Sequence, residues 1–172
     1  MRSLFKVSVM NCLRFLIFLF GWWFSIAHAE MVSGRVERVE DGMTLVLVDA
    51  ATQKAQTIRL LGADAPHRMQ AFGVQAQTAL AAMAAHQMVQ ADCRRYDQNA
   101  QLCVVKVNGR DLGLEQVRAG MAWWYTEHST NQSAQEREDY RQAEFMAKIH
   151  RYGLWNSTNP MPPRDWRRLN IR

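Results

Sequence analysis

Few features of this 172-residue sequence are extreme, and each shortage narrows what the chain can be. Beyond residue 29 there is no long apolar run, and a membrane-spanning helix needs about 20 such residues. Charge of one sign is also scarce. The formal net charge is +5, with 21 Lys+Arg against 16 Asp+Glu. Three of the basic residues and none of the acidic ones fall within residues 1–29, which leaves 18 against 16, or +2, for the remainder. A balance that small does not demand a nucleic-acid partner. Cysteine is limited to Cys12, Cys93 and Cys103. His86, His128 and His150 stand at no metal-ligand spacing, which argues against a histidine metal motif. There are no internal repeats and no low-complexity stretch, so array architectures are excluded.

What is present begins with an export signal. Arg2, Lys6 and Arg14 precede the apolar stretch from Phe15 to Ala27, which ends in Ala27-His28-Ala29. A basic start, a short apolar centre and small residues at the end describe a secretory signal peptide, cleaved after Ala29. Residues 30–172 then make one domain of 143 residues, long enough for a real core and without a membrane span. Cys12 leaves with the signal. Cys93 and Cys103 flank a polar turn, Tyr96 to Ala100, and a hairpin there sets them opposite each other. In an oxidising compartment that pair is read as a disulfide, since two cysteines alone make a poor metal site.

The hydrophobic pattern first runs with the period of strands. Val32–Val39 alternates, Asp41-Gly42 is a turn, Leu45–Val48 is apolar, and Thr57–Leu61 closes at Gly62. The period then changes. Phe72–Met88 carries Ala76, Leu80, Met83 and Ala84 at helical spacing. Val89–Arg95 and Gln101–Val107 form the hairpin, Leu112–Ala119 is a short helix stopped by Gly120, and Ala134–His150 is a longer one. From Asn159 the sequence is rich in Pro and Arg, with Arg164, Arg167, Arg168 and Arg172. It reads as a solvated end or, alternatively, a phosphate-binding one. Three strands, a helix, two strands and two more helices give an α+β chain dominated by a five-stranded barrel of the OB-fold type.

The motifs make a narrower case. Val39-Glu-Asp-Gly-Met-Thr-Leu45 is followed by Ile58-Arg-Leu-Leu-Gly-Ala-Asp-Ala-Pro-His67, then Phe72-Gly73. Next come Val107-Asn-Gly-Arg-Asp-Leu112, Val117-Arg-Ala-Gly-Met-Ala-Trp123 and Gly153-Leu-Trp155. Each is weak alone, but in this order and spacing they resemble the staphylococcal nuclease (thermonuclease) family from about Val32 to Trp155, and Asn159-Pro160 with Pro162-Pro163 and Trp166 continues the match. The Cys93/Cys103 pair is similar to exported bacterial members. The resemblance implies an OB-fold barrel with three helices over residues 30–156, a tail over 157–172, and an ancestry in Ca²⁺-dependent cleavage of DNA and RNA.

Phosphodiester cleavage of that kind needs a hard cation held by carboxylates, a base for the attacking water and cations on the phosphate. The resemblance assigns these roles position by position. The family's Asp-Gly-Asp-Thr stands here as Asp41-Gly42-Met43-Thr44, so a metal carboxylate is replaced by a thioether, a poor ligand for Ca²⁺. The phosphate arginine of the third strand is kept as Arg59, and a metal aspartate as Asp64. The water-orienting glutamate is His67. The hairpin arginine is lost: its place falls at Gln98 when aligned from Tyr96 and at Ala100 when aligned from Asn108-Gly109-Arg110-Asp111, and neither is an arginine. Removing one transition-state donor costs about 10²–10³ in rate, and a general base contributes about 10²–10⁴.

Three readings follow. In the first, the domain is an exported pseudo-nuclease that binds nucleic acid or a protein partner without cutting efficiently. In the second it is an active endonuclease with a rebuilt site. Asp41 then joins Asp64 at a Ca²⁺ ion, His67 acts as base, and Arg94 or Arg95 reaches the phosphate. In the third it is an interaction module for an envelope protein. Trp124 and Tyr125 are further nucleic-acid contact candidates, since aromatic rings on ssDNA-binding barrels stack on bases, with packing at the barrel rim as the other outcome. Asp64 also has a structural alternative, an aspartate bonding its own backbone two residues on.

Overall fold

The barrel grows from short alternating segments, each able to bury only one face. The computed structural model describes residues 30–97 and 100–170. The expected signal segment, residues 1–29, and the positions Gln98 and Arg172 lie outside them. Strands β1 (Glu30–Val39), β2 (Thr44–Asp49) and β3 (Ala55–Leu60) form an antiparallel meander, with Gly34 opposite Asp49 and Thr44 opposite Arg59. The short β4 (Ala63–Asp64) and helix α1 (Gly73–Ala84) lead to β5 (Met88–Asp97), which returns to pair with β1. β6 (Ala100–Val107) pairs with β5 and then runs parallel to β3, with Leu60 opposite Cys103. The order β3-β2-β1-β5-β6, closed by β3 against β6, is the expected five-stranded OB-type barrel.

The second half covers the barrel. β7 (Arg110–Asp111) opens helix α2 (Leu112–Arg118), and β8 (Trp123–Trp124) pairs with β4. A 3-10 helix, Thr126–Asn131, precedes α3 (Ala134–Ile149), and α4 (Pro163–Asn170) ends the described chain. The core joins Val36, Leu45, Leu47 and Ile58 of the barrel to Ala76, Leu80 and Ala84 of α1 and Tyr140 of α3. Each fully buried aliphatic contributes about 1.5–3 kcal/mol. Cys93 and Cys103 face each other across β5 and β6 and form the expected disulfide.

Two elements, α1 and the tail, depart from the sequence expectation. α1 ends at Ala84 rather than near Met88, because Ala85 turns extended and His86 takes a left-handed φ of 62°. No glycine or proline marks that stop. α3 buries Tyr140, Ala143 and Ala147, while Phe145 and Ile149 are exposed. The tail is not merely a solvated end. Pro163, at the first helical position where no N–H is needed, opens α4, a fourth helix beyond the three expected. Among the described residues, no helix is long and apolar enough to cross a membrane.

Candidate functional site

A cavity of about 370 Å³ opens at the barrel end where β3 hands over to β4. Met43, Arg59, Asp64, Tyr125, His128 and Arg167 line it, above Leu60, Ala63 and Leu102. Local chemistry sets each in place. Gly42 lets the turn before Met43 approach α1, since a Cβ there would lie 2.6 Å from that of Ala76. The buried Gln116 pins the same turn, donating from Nε2 to the Gly42 and Ala76 carbonyls at 2.7 and 2.9 Å. Gly62, with φ of +88°, reverses the chain after β3 so that β4 can turn Asp64 inward. A side chain is strained at that φ, and its Cβ would also meet Gln132 at 2.5 Å. Tyr125 N–H donates to the Gly62 carbonyl at 2.9 Å, which ties the segment leading into the 3-10 helix to this turn.

The electrostatics centre on Asp64. Its side chain is nearly buried, and Arg167 of α4 donates to Oδ1 at 3.2 Å and Oδ2 at 3.4 Å. Burial pushes the Asp64 carboxyl above its ordinary range, and the Arg167 bonds, with the charges of Arg167 and Arg59, only partly offset that. Arg59 Nη2 lies 3.8 Å from the Met43 sulfur. The Tyr125 hydroxyl donates to Glu127 at 2.7 Å, and its ring meets His128 edge-on at 4.5 Å. Burial, then Glu127, pushes the phenol up to about 12, so it stays neutral near pH 7.

Of the sequence candidates, Arg59, Asp64 and Tyr125 meet in this cavity with Met43. The others do not join them as expected. The Asp41 carboxylate accepts from the Met43 N–H at 2.8 Å, a local turn bond that directs it into its own loop. The self-bonding turn anticipated at Asp64 therefore occurs at Asp41 instead, since the residue two beyond Asp64 is Pro66, which has no N–H. His67 is engaged elsewhere. Its Nδ1 accepts from Met69 N–H at 3.2 Å and its ring stacks on Trp166 at 4.6 Å. Ala100 is buried at the start of β6.

Arg94 is corrected from phosphate contact to clamp. It falls at the irregularity between Cys93 and Arg95, where a bulge re-aims a side chain. It bonds Asp92 at 2.6 Å, Glu136 at 2.7 and 2.9 Å and the Asn131 carbonyl at 2.9 Å. Arg95 is exposed on β5 and does not line the cavity. Trp124 is a packing residue. It lies against the core, and its indole N–H donates to Gln132 at 3.0 Å. Trp123, beside it, packs edge-on against Trp155.

Comparison with known proteins decides the ancestry. A family model described as "Staphylococcal nuclease homologue" matches residues 57–157. The chain belongs to the staphylococcal nuclease family. It is 33% identical over 145 residues to an "Uncharacterized endonuclease" of Haemophilus influenzae, covering 84% of this chain and 78% of the relative. It is 36% identical over 155 residues to "Protein ParB" of Escherichia coli, covering 84% and 83%. A "Micrococcal nuclease" of Shigella flexneri is 32% identical over 148 residues, covering 80% and 81%.

The family implies Ca²⁺, so the donor set must be tested for it. Calcium takes six to eight oxygens, several from carboxylates. The cavity offers the carboxylate of Asp64, which Arg167 already bonds through both oxygens, and the thioether of Met43. Asp41 is held by its own loop. Among the described residues, no group of three or more His, Cys, Asp or Glu is arranged to hold a metal ion. These residues do not fit Ca²⁺.

Sequence reasoning missed His128, and it offered Arg167 only as one of four tail arginines at a solvated or phosphate-binding end. His128 sits in no motif and enters the cavity on the 3-10 helix. Arg167 had a usable signal. Pro162-Pro163, Asp165 in the first turn and Arg167-Arg168 in the last have the order of a helix with its dipole complemented.

Proposed function

We propose that this staphylococcal nuclease homologue is an exported domain that binds nucleic acid at the barrel mouth and cleaves it poorly. The observation that carries this reading is the Asp64–Arg167 pair beside Met43. Where the family implies carboxylates around a cation, the described residues lining the cavity include two arginines and one carboxylate. Guanidinium forks match phosphate oxygens with two parallel bonds, and the Tyr125 ring at the rim offers a face on which a base can stack. Export is supported by the N-terminal signal pattern and by the Cys93–Cys103 bond, which persists in oxidising compartments.

A second reading, an active divalent-cation-dependent endonuclease, is favoured by the relatives' names and by the presence of Arg59 and Asp64 in one cavity. Nothing in the structure favours the envelope-protein partner over either. One assay separates the two readings: residues 30–172, disulfide intact, with single- and double-stranded DNA and RNA in Ca²⁺, Mg²⁺, Mn²⁺ or EDTA. The proposal expects binding with little or no cutting. Steady cation-dependent cleavage lost in Asp64→Ala would establish the second reading instead.

A further inference from the structure

The family's second phosphate arginine is absent from the hairpin, where Ala100 stands buried. A cation nevertheless reaches the cavity from the far end of the chain. We propose that Arg167, on α4, is the second phosphate-contacting residue of this cavity and acts with Arg59 on the same phosphate; this rests on the nucleic-acid-binding reading above.

The seating of α4 supports it. The helix is held to separate segments: the Trp166 ring stacks on His67, Gln70 donates to the Met161 carbonyl at 2.6 Å, and Arg164 pairs with Glu127 at 2.8 Å. The substitution that removes the family's glutamate, His67, thus also provides the stacking surface for the helix that delivers Arg167. The Arg167 bonds to Asp64, at 3.2 and 3.4 Å, are long for charge-assisted bonds, which run about 2.7–2.9 Å. About a third of the Arg167 side chain remains accessible (35%), so an incoming phosphate can compete for it.

The test is equilibrium binding of a 5′-labelled single-stranded oligodeoxynucleotide to residues 30–172, which hold the complete barrel and all four helices, in EDTA across a salt series. Arg167→Ala is expected to weaken binding about tenfold or more and to lower the salt slope by about 0.7, the share of one phosphate contact on a single strand. Arg167→Lys keeps the slope and loses part of the affinity, because it cannot make the fork. Arg168→Ala, on the same helix but outside the cavity, leaves affinity and slope near wild type. Asp64→Asn tightens binding.

Unchanged or tighter binding by Arg167→Ala, with Arg59→Ala still weakened, would overturn the proposal. Arg167 would then be a plug on Asp64, and the nucleic-acid reading would stand. If Arg59→Ala also has no effect, the reading of the cavity itself fails. Should Arg167→Ala unseat α4, seen as a drop in thermal midpoint, Arg167→Lys and Asp64→Asn decide: weaker affinity at a retained slope in the first with tightening in the second supports the proposal, and wild-type affinity in either overturns it.

Discussion

Arg94 and Arg167 each meet carboxylates, but in different environments. Arg94 bonds two of them, Asp92 and Glu136, and a backbone carbonyl, all at 2.6–2.9 Å. The pair is mutually stabilised. Glu136, with Arg94 as the main cause, is held down at about 2, and the Arg94 guanidinium is pushed above its ordinary value. Arg167 meets Asp64 at 3.2–3.4 Å in a cavity that also contains Arg59. One arginine lies among surplus carboxylate and joins β5 to α3. The other meets a single carboxylate through longer bonds and lines an open cavity. Residue type alone does not separate the two environments; bond length and the adjoining cavity do.

The sharpest way to break that comparison is to remove each guanidinium. Arg94→Ala is expected to cost about 2–3 kcal/mol, since it strands partly buried carboxylates, while leaving the oligonucleotide salt slope unchanged. Urea denaturation and a salt series check the two halves. The opposite pattern would mean that Arg94 is the phosphate contact. Next in size is the disulfide. Its loop of about ten residues contributes roughly 2–3 kcal/mol, so Cys93→Ala with Cys103→Ala should lower the urea midpoint and leave affinity for the oligonucleotide intact.

Arg59→Ala should weaken oligonucleotide binding about tenfold or more, with a smaller change in stability than Arg94→Ala. The clamp also predicts a pH signature. The Glu136 carboxyl is depressed in the fold, so its stabilisation is complete above the ordinary glutamate range and is lost as pH falls toward about 2. Denaturation across that window should show the loss in wild type and a shallower one in Arg94→Ala. Tyr125→Phe is the smallest effect: affinity within about twofold, because stacking uses the ring and not the hydroxyl.

The barrel was legible because alternation and turn chemistry agree along β1 to β3, and the family motifs placed Arg59 and Asp64 in one cavity. The end of α1 was not, because an alanine-rich run stops at His86 by backbone conformation, without glycine or proline. Arg94 misled because Glu136, its partner, lies 42 positions away, and a cation next to a hairpin resembles a phosphate ligand until that partner is seen. Arg167 could not be singled out from the other tail arginines for the converse reason. It is 103 positions from Asp64, in a segment whose prolines and arginines suggest a solvated end.

The central claim is that the barrel mouth is a cationic phosphate site and not a calcium centre. The direct test is affinity for a single-stranded oligonucleotide measured side by side in Ca²⁺ and in EDTA, at matched ionic strength, with the oligonucleotide recovered and sized afterwards. Equal affinity and an intact oligonucleotide in both are predicted. Binding or cutting that requires Ca²⁺, and disappears in Asp64→Ala, would contradict the account.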